Sequence, residues 1–376
     1  MSEARRHELG QAIAERERAE VAAELEKKRQ AEAERRLTVQ QFGELWTSGR
    51  LYERHGEINK LKPKKTARQD ELRLARYVYP VIGDRPVDSI TEVDVEQVMA
   101  YAQRVGTERL NRGRQPGQVK KARRKGSQFQ VYQALRRLFD LAIVPGRLRN
   151  DTPVSRQWHK PGRDSEKLYA YLYPDELLAL LRCTDIPVGR RVFYALGVYT
   201  GLRKASIYSL QWRHLDFQHR TLAVLNTKTG VPQLVEVDAS LVELLRLWYE
   251  RQGQPAKTSP IVTGVEVAAG KEAAALRADL SSAEVTRDVL TSNEVNVQPL
   301  RYHDLRATFS TWAKRAGRGD GWIQDRTGHL SPAMRERYQR QARTLADLGY
   351  TPFPSLSDAI PELVEGLGNV VRMLPR

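Results

Sequence analysis

The sequence predicts a mainly α-helical protein with a small antiparallel β-sheet, built as a helical module followed by a larger α+β domain. Three observations carry this. Apolar residues recur at helical spacing through most of the chain. One pair of β-rich segments, 221–225 and 233–237, flanks a polar run that ends in Gly230, which is a hairpin signal. At 376 residues the chain exceeds one core of ordinary size, so two or three domains are expected.

Composition narrows the partner. Lys and Arg number 62 against 46 Asp and Glu, a net charge of +16. Such an excess suits a polyanion, because each neutralised phosphate releases condensed counterions. Acidic membrane lipid is the competing partner, yet no segment approaches the roughly 20 apolar residues of a membrane span. The amino terminus leads into charge, so no signal peptide is expected. The single cysteine, Cys183, allows no internal disulfide or Cys-based metal site and reads as a plain buried thiol in a reducing cytoplasm.

Residues 1–37 are nearly all Ala, Glu, Arg, Lys and Gln, with only Leu9, Ile13, Val21 and Leu25 as large apolar residues. That predicts a charged, solvated helix; an arm or oligomerisation helix is the sharper alternative. Residues 38–146 form the helical module. Thr38 is the N-cap of a helix carrying Phe42, Leu45 and Trp46. A helix from about residue 69 carries Leu72, Ala75, Tyr77 and Val78. Thr91 and Asp94 form a near capping box before Val95, Val98 and Met99. A further helix spans 128–144 and stops at Pro145-Gly146. Two stretches without acids interrupt the module. The first carries Lys60, Lys62, Lys64, Lys65 and Arg68; the second, a loop or hairpin at 109–125, carries Lys120, Lys121, Arg123, Arg124 and Lys125. These ten are the candidate DNA-binding residues.

Residues 147–170 read as a linker, with Pro153 and Pro161 and no periodicity. The second domain spans 171–345. Helices are expected at about 175–183, 188–199 and 203–212, then the hairpin, then a helix at 239–251. Within 252–298 a strand near Ile261 and Val262 and an Ala/Glu/Arg-rich helix are expected, the latter as an insertion. The tail, 346–376, carries Leu348, Ile360, Leu363, Val364 and Leu367, amphipathic material for a neighbouring subunit or for self-packing.

Three clusters carry chemistry. Arg203 follows the Thr200-Gly201 turn at a helix start, where guanidinium and backbone N–H groups face a phosphate together. His303 and Arg306 are three apart, hence on one helix face. His329 follows Gly328, and Tyr338 comes nine residues later. Guanidinium is planar, permanently charged and forks onto two oxygens, which suits charge growing on phosphorus oxygens. A phenol attacking that phosphorus needs a base or a cationic pocket, and the leaving oxygen needs a proton. Lys228 at the hairpin tip is the candidate acid. No His, Cys or paired-carboxylate spacing suggests a metal, and no cofactor is implied. Taken singly, each residue has a duller explanation as an ion-pair partner or packing group; the weight lies in their order and spacing.

That order resembles the tyrosine recombinases, the phage integrase family: Thr200-Gly201-Leu202-Arg203, the hairpin lysine, His303-Asp304-Leu305-Arg306, then Gly328-His329 and Tyr338. The upstream module resembles the family's core-binding (SAM-like) domain. The resemblance implies that Arg203 and Arg306 bind the scissile phosphate and that Lys228 protonates the leaving 5′-hydroxyl. It further implies that His303 assists proton transfer, His329 hydrogen-bonds the phosphate, and Tyr338 forms a 3′-phosphotyrosyl link. It implies a site-specific integrase of a phage or other mobile element, acting as a tetramer on attachment-type sites in double-stranded DNA. A DNA-bending accessory protein and a cytoplasmic, nucleoid-associated setting in a prokaryote belong to the same expectation. One departure stands out: the family usually has Glu or Asp three residues after the first arginine, and here the residue is Ser206. The alternatives are a type IB-like topoisomerase and a non-catalytic DNA-binding protein on the same fold.

Overall fold

The structure, a computed structural model, describes Val21 and residues 37–365 apart from 57–66, 112–124, 158, 162–166, 227–230, 269, 293, 295 and 329–330. The chain separates into two compact units, Met1–Ser165 and Glu166–Arg376.

The described part of the first unit is all helical: α1 (Val39–Thr47), α2 (Arg50–Arg54), α3 (Ala67–Tyr77), α4 (Tyr79–Ile82), α5 (Glu92–Asn111) and α6 (Lys125–Ile143). α1 begins at a full capping box. The Thr38 hydroxyl accepts from the Gln41 N–H at 3.2 Å, and the Gln41 side chain accepts from the Thr38 N–H at 3.1 Å. At α5 the N3 residue does more of the work, since the Asp94 carboxylate accepts from both the N–H and the hydroxyl of Thr91 at 2.8 Å. Phe42, Leu74, Val78, Val98, Leu135 and Phe139 meet in one core.

Three expectations are corrected here. In α3 the inward residue is Leu74, while Leu72 is exposed; the buried stripe runs through Leu74 and Val78, four apart, so the face is rotated. α5 continues to Asn111 and α6 begins at Lys125, so both ends of the expected 109–125 loop are helical. The start of the expected linker belongs to the first core. Leu148 and Val154 are buried there, and the Arg149 guanidinium donates to the carbonyls of Val87 and Ile90, each at 3.1 Å. An arginine that caps two loop carbonyls is indistinguishable in sequence from one in a solvated linker.

The second unit contains α7 (Pro174–Arg182), α8 (Val188–Thr200), α9 (Lys204–Tyr208), α10 (Ala239–Arg251), α11 (Glu272–Ser282), α12 (Tyr302–Arg315), α13 (Asp320–Thr327), α14 (Pro332–Asp347) and α15 (Pro361–Glu365). Its strands are β1 (Leu168–Tyr169), β2 (Leu215–Asp216), β3 (Thr221–Val224), β4 (Gln233–Glu236) and β5 (Val297–Gln298). β2, β3 and β4 form the antiparallel sheet, with Leu222 opposite Val235. Separately, β1 and β5 form a two-stranded parallel ladder. α8 is buried nearly all round, and both it and α14 pack on α12.

The region 252–298 differs from expectation. Ile261 and Val262 are buried, but no strand forms there; the Ile261 N–H donates to the Leu210 carbonyl beside a single bridge between Gln211 and Pro260. α11 is not peripheral. It buries Leu276 and Leu280, and its Asp279 accepts from Arg190 at 3.0 Å and from the Tyr194 hydroxyl, both on α8. Cys183 caps α7 and is only half-buried, because the helix ends there. The tail packs on its own unit as far as residue 364. Ile360 and Leu363 are buried, while Leu348 and Val364 are exposed. The Glu362 carboxylate grips the buried Arg191 guanidinium in a two-pronged pair, at 2.9 Å on one side. Leu367 and the rest of the tail lie outside the described residues, as does the helix expected at 1–37, save Val21 and Leu37.

Candidate active site

α8 ends at Gly201, whose φ of 65° lies in the left-handed region. A Cβ there would fall 2.3 Å from the Phe309 ring, so only glycine turns the chain at this point. The turn makes Arg203 the residue that opens α9. Its Nη2 donates to the Thr327 carbonyl at 3.4 Å, which joins it to the end of α13. The next residue, Gly328, has a φ of 69°, and a Cβ on it would lie 3.3 Å from the Arg203 guanidinium.

Arg306 comes from α12 and is buried. Its Nη1 donates to the Gly201 carbonyl at 2.6 Å, so the second arginine is tied to the turn that presents the first. Burial, together with the nearby Arg203 charge, brings its pKa down to about 10; it stays cationic at neutral pH. His303, one turn earlier, is exposed at the helix surface. Partial desolvation, then the charges of Arg306, Arg301 and Arg203, lower its pKa, while Asp304 opposes them. Asp304 itself is buried. It accepts from the N–H of Arg301 at 2.9 Å and pairs with the Arg301 guanidinium, holding the first turn of α12.

Tyr338 lies on α14 with its ring packed near Ala313 and Ile323. It is 5% exposed. Burial raises its pKa; Ser310, by hydrogen bonding, and the charges of Arg337 and Arg306 pull the other way. Arg203, Arg306 and His303 therefore form one electrostatic group, and Tyr338 joins it through Arg306. These side chains come from the α8–α9 turn, α12 and α14.

Lys228 and His329 lie outside the described residues, but both their approaches are visible. Asn226, two residues before Lys228, is held by a hydrogen bond from the Ser206 hydroxyl to its carbonyl at 2.7 Å. Gln233, on the returning strand, donates to the Asp325 carbonyl at 2.9 Å and moors the hairpin to α13. Of the ten candidate DNA-binding residues, Arg68 is exposed in the first turn of α3. The other nine, counting the side chain of Lys125, lie outside the described residues.

Sequence reasoning missed Ser310 and Gln341. Ser310 lies one turn beyond Arg306. Gln341, one turn beyond Tyr338, accepts from Thr311 at 2.8 Å and donates to the Tyr169 carbonyl at 3.1 Å, clipping α14 to α12 and β1. Spacing along the two helices, at i+4 and i+3, was the available signal. Among the described residues, no group of three or more His, Cys, Asp or Glu is arranged to hold a metal. No described helix is long and apolar enough to cross a membrane.

Comparison with known proteins gives this arrangement its context. Residues 170–344 match the phage integrase family. The prophage integrase IntZ of Escherichia coli (strain K12) is 23% identical over 311 residues, 81% of this chain and 68% of that protein. The tyrosine recombinase XerC of Xanthomonas campestris pv. campestris is 36% identical over 95 residues, 24% of this chain and 29% of XerC. The fold is similar to that in a crystal structure of a lambda integrase tetramer bound to a Holliday junction, with a TM-score of 0.55 and 18% identity over 79% of each chain. The unit that carries Arg203, Arg306 and Tyr338 thus matches the phage integrase family in sequence, from residue 170 to residue 344.

Proposed function

We propose that the protein is a site-specific DNA recombinase, an integrase of a phage or other mobile element, which cuts and rejoins DNA through a 3′-phosphotyrosyl intermediate. The Tyr338 phenolic oxygen attacks the scissile phosphorus as the bond to the 5′-oxygen breaks. The phenol's proton passes to neutral His303. Arg203, Arg306 and His329 meet the charge on the non-bridging oxygens, and Lys228 delivers a proton to the departing 5′-oxygen. Attack by a 5′-hydroxyl of another strand reverses the step. Phosphodiester energy is conserved in the link, so no ATP, metal or cofactor enters.

The observation that carries this reading is the hydrogen bond from the buried Arg306 guanidinium to the Gly201 carbonyl at 2.6 Å, which ties the helix of His303 and Arg306 to the turn that presents Arg203. Two guanidinium groups brought close in a partly buried setting repel each other, and a bound phosphate relieves that repulsion. The net charge of +16 suits duplex DNA. The DNA-bound tetramer of the lambda relative supports assembly of four subunits on paired attachment-type sites. A prokaryotic, nucleoid-associated setting and assistance from a DNA-bending protein belong to this reading. So does DNA contact through Lys60, Lys62, Lys64, Lys65 and Arg68 and through Lys120, Lys121, Arg123, Arg124 and Lys125.

The test is a nicked suicide substrate carrying the DNA that flanks the gene, run on a denaturing gel. Wild type should yield a protein–DNA adduct and Tyr338→Phe none. Salt-sensitive binding without an adduct from wild type would leave only a DNA-binding protein on the same fold. Adduct formation without resolution of a four-way junction would favour a type IB-like topoisomerase.

A further inference from the structure

We infer that Ser206 is a positioning residue for the leaving-group proton, and that it works as a hydrogen-bond donor where relatives in the family carry an acceptor. The inference rests on the proposed role of Lys228. Ser206 is buried, 5% exposed, in the middle of α9, three residues after Arg203. Its hydroxyl donates to the carbonyl of Asn226 at 2.7 Å. Asn226 follows the last residues of β3 and stands two positions before Lys228. One buried side chain thus links the helix that begins at Arg203 to the strand end leading to the hairpin tip.

The chemistry of that contact is directional. A carbonyl oxygen only accepts, so its partner must offer a proton. Serine does; an ionised Asp or Glu, the usual residue of the family at this position, does not. A carboxylate here would face the Asn226 carbonyl with like partial charge in a buried place, an arrangement penalised by desolvation as well as repulsion. Ser206 is therefore not a weakened copy of the acid. The hairpin of this chain is anchored through the opposite hydrogen-bond polarity, and restoring the acid should harm rather than help.

The consequence falls on one step. When the P–O5′ bond breaks, the departing oxygen takes a proton from the Lys228 ammonium. If the hairpin root drifts, that transfer suffers while phosphate binding by Arg203 and Arg306 does not. A substrate with sulfur in place of the bridging 5′-oxygen separates the two. The P–S bond breaks to release a thiolate, which leaves without a proton because a thiol is far more acidic than an alcohol.

The experiment compares cleavage of oxygen- and sulfur-bridged suicide substrates by full-length wild type, Lys228→Ala, Ser206→Ala and Ser206→Asp. Single-turnover adduct formation is the readout, with DNA binding measured alongside. On the oxygen substrate Lys228→Ala should fall about 100-fold or more and Ser206→Ala about 10-fold. Ser206→Asp should fall further than Ser206→Ala. On the sulfur substrate Lys228→Ala and Ser206→Ala should both approach wild type. Rescue of Lys228→Ala without rescue of Ser206→Ala would overturn the inference and leave the lysine's role standing. Failure to rescue Lys228→Ala would remove that role and the inference with it. Wild-type rates for Ser206→Ala or Ser206→Asp on the oxygen substrate would likewise overturn it.

Discussion

The guanidinium of Arg306 donates to the carbonyl of Gly201 at 2.6 Å, so the helix that carries one phosphate-binding candidate grips the turn that presents the other. Two cations that repel each other are thus held in register by a backbone oxygen. The turn exists because Gly201 takes a left-handed conformation against the Phe309 ring.

Gly201→Ala should therefore act on both stability and chemistry. The substitution adds strain at a φ of 65° and a Cβ 2.3 Å from Phe309 Cδ1. A loss of about 1–3 kcal/mol is expected, read by urea denaturation of the purified protein. Adduct formation should drop at temperatures where the variant is still folded, because the Arg203 segment moves.

The proton inventory of His303 gives a second expectation. Partial desolvation and the charges of Arg306, Arg301 and Arg203 disfavour the imidazolium, so its pKa lies below the ordinary 6.5. The ring is then mostly neutral at neutral pH and able to accept the phenol's proton. NMR titration in a Tyr338→Phe background, with His303→Gln to assign the signal, should show this low value. Adding Arg203→Ala removes a cation and should move the value upward. A value that stays put or falls would show that Arg203 exerts no such influence.

The tail supplies a third. Arg191 is 1% exposed and depends on Glu362, with the Leu181 carbonyl at 3.0 Å as its other partner. Glu362→Ala strands a buried guanidinium and should cost about 3 kcal/mol, seen as a lowered Tm. The hydrogen bond from Arg191 in turn holds the Glu362 carboxyl below its usual pKa, ahead of the opposing effect of burial. A depressed carboxylate stabilises the fold above its unfolded pKa and loses that contribution as pH falls through the folded one. The difference between wild type and variant should shrink below about pH 4.

Much of the architecture was legible where local signals and tertiary demand agree. The helix at 239–251 begins at Asp238, whose side chain caps it, and its apolar period matches its buried face. The Thr38 cap and the face shared by His303 and Arg306 were legible for the same reason. What escaped were contacts in which a polar side chain serves a distant backbone. Arg149 closing two loop carbonyls looks like linker charge, and Gln341 clipping α14 looks like a surface glutamine. In α3, Leu72 and Leu74 are equally apolar, and the positions of the helices packed on it, α1 and α6 foremost, decide which turns inward. Ser206 was visible as a departure, but its partner was not, because hairpin and helix lie apart in the chain.

α11 has a practical meaning. Its first residue, Glu272, pairs with Lys204, the immediate neighbour of Arg203, while Asp279 further along takes hold of Arg190 and Tyr194. A stretch that resembles an optional appendage thus works as a strut between α8 and α9, the two helices joined by the turn before Arg203. Anyone grafting a reporter or a new DNA-reading module onto this protein should leave 272–282 intact. The exposed turn at Gln218 and His219, on the far side of β3, is the better place to cut.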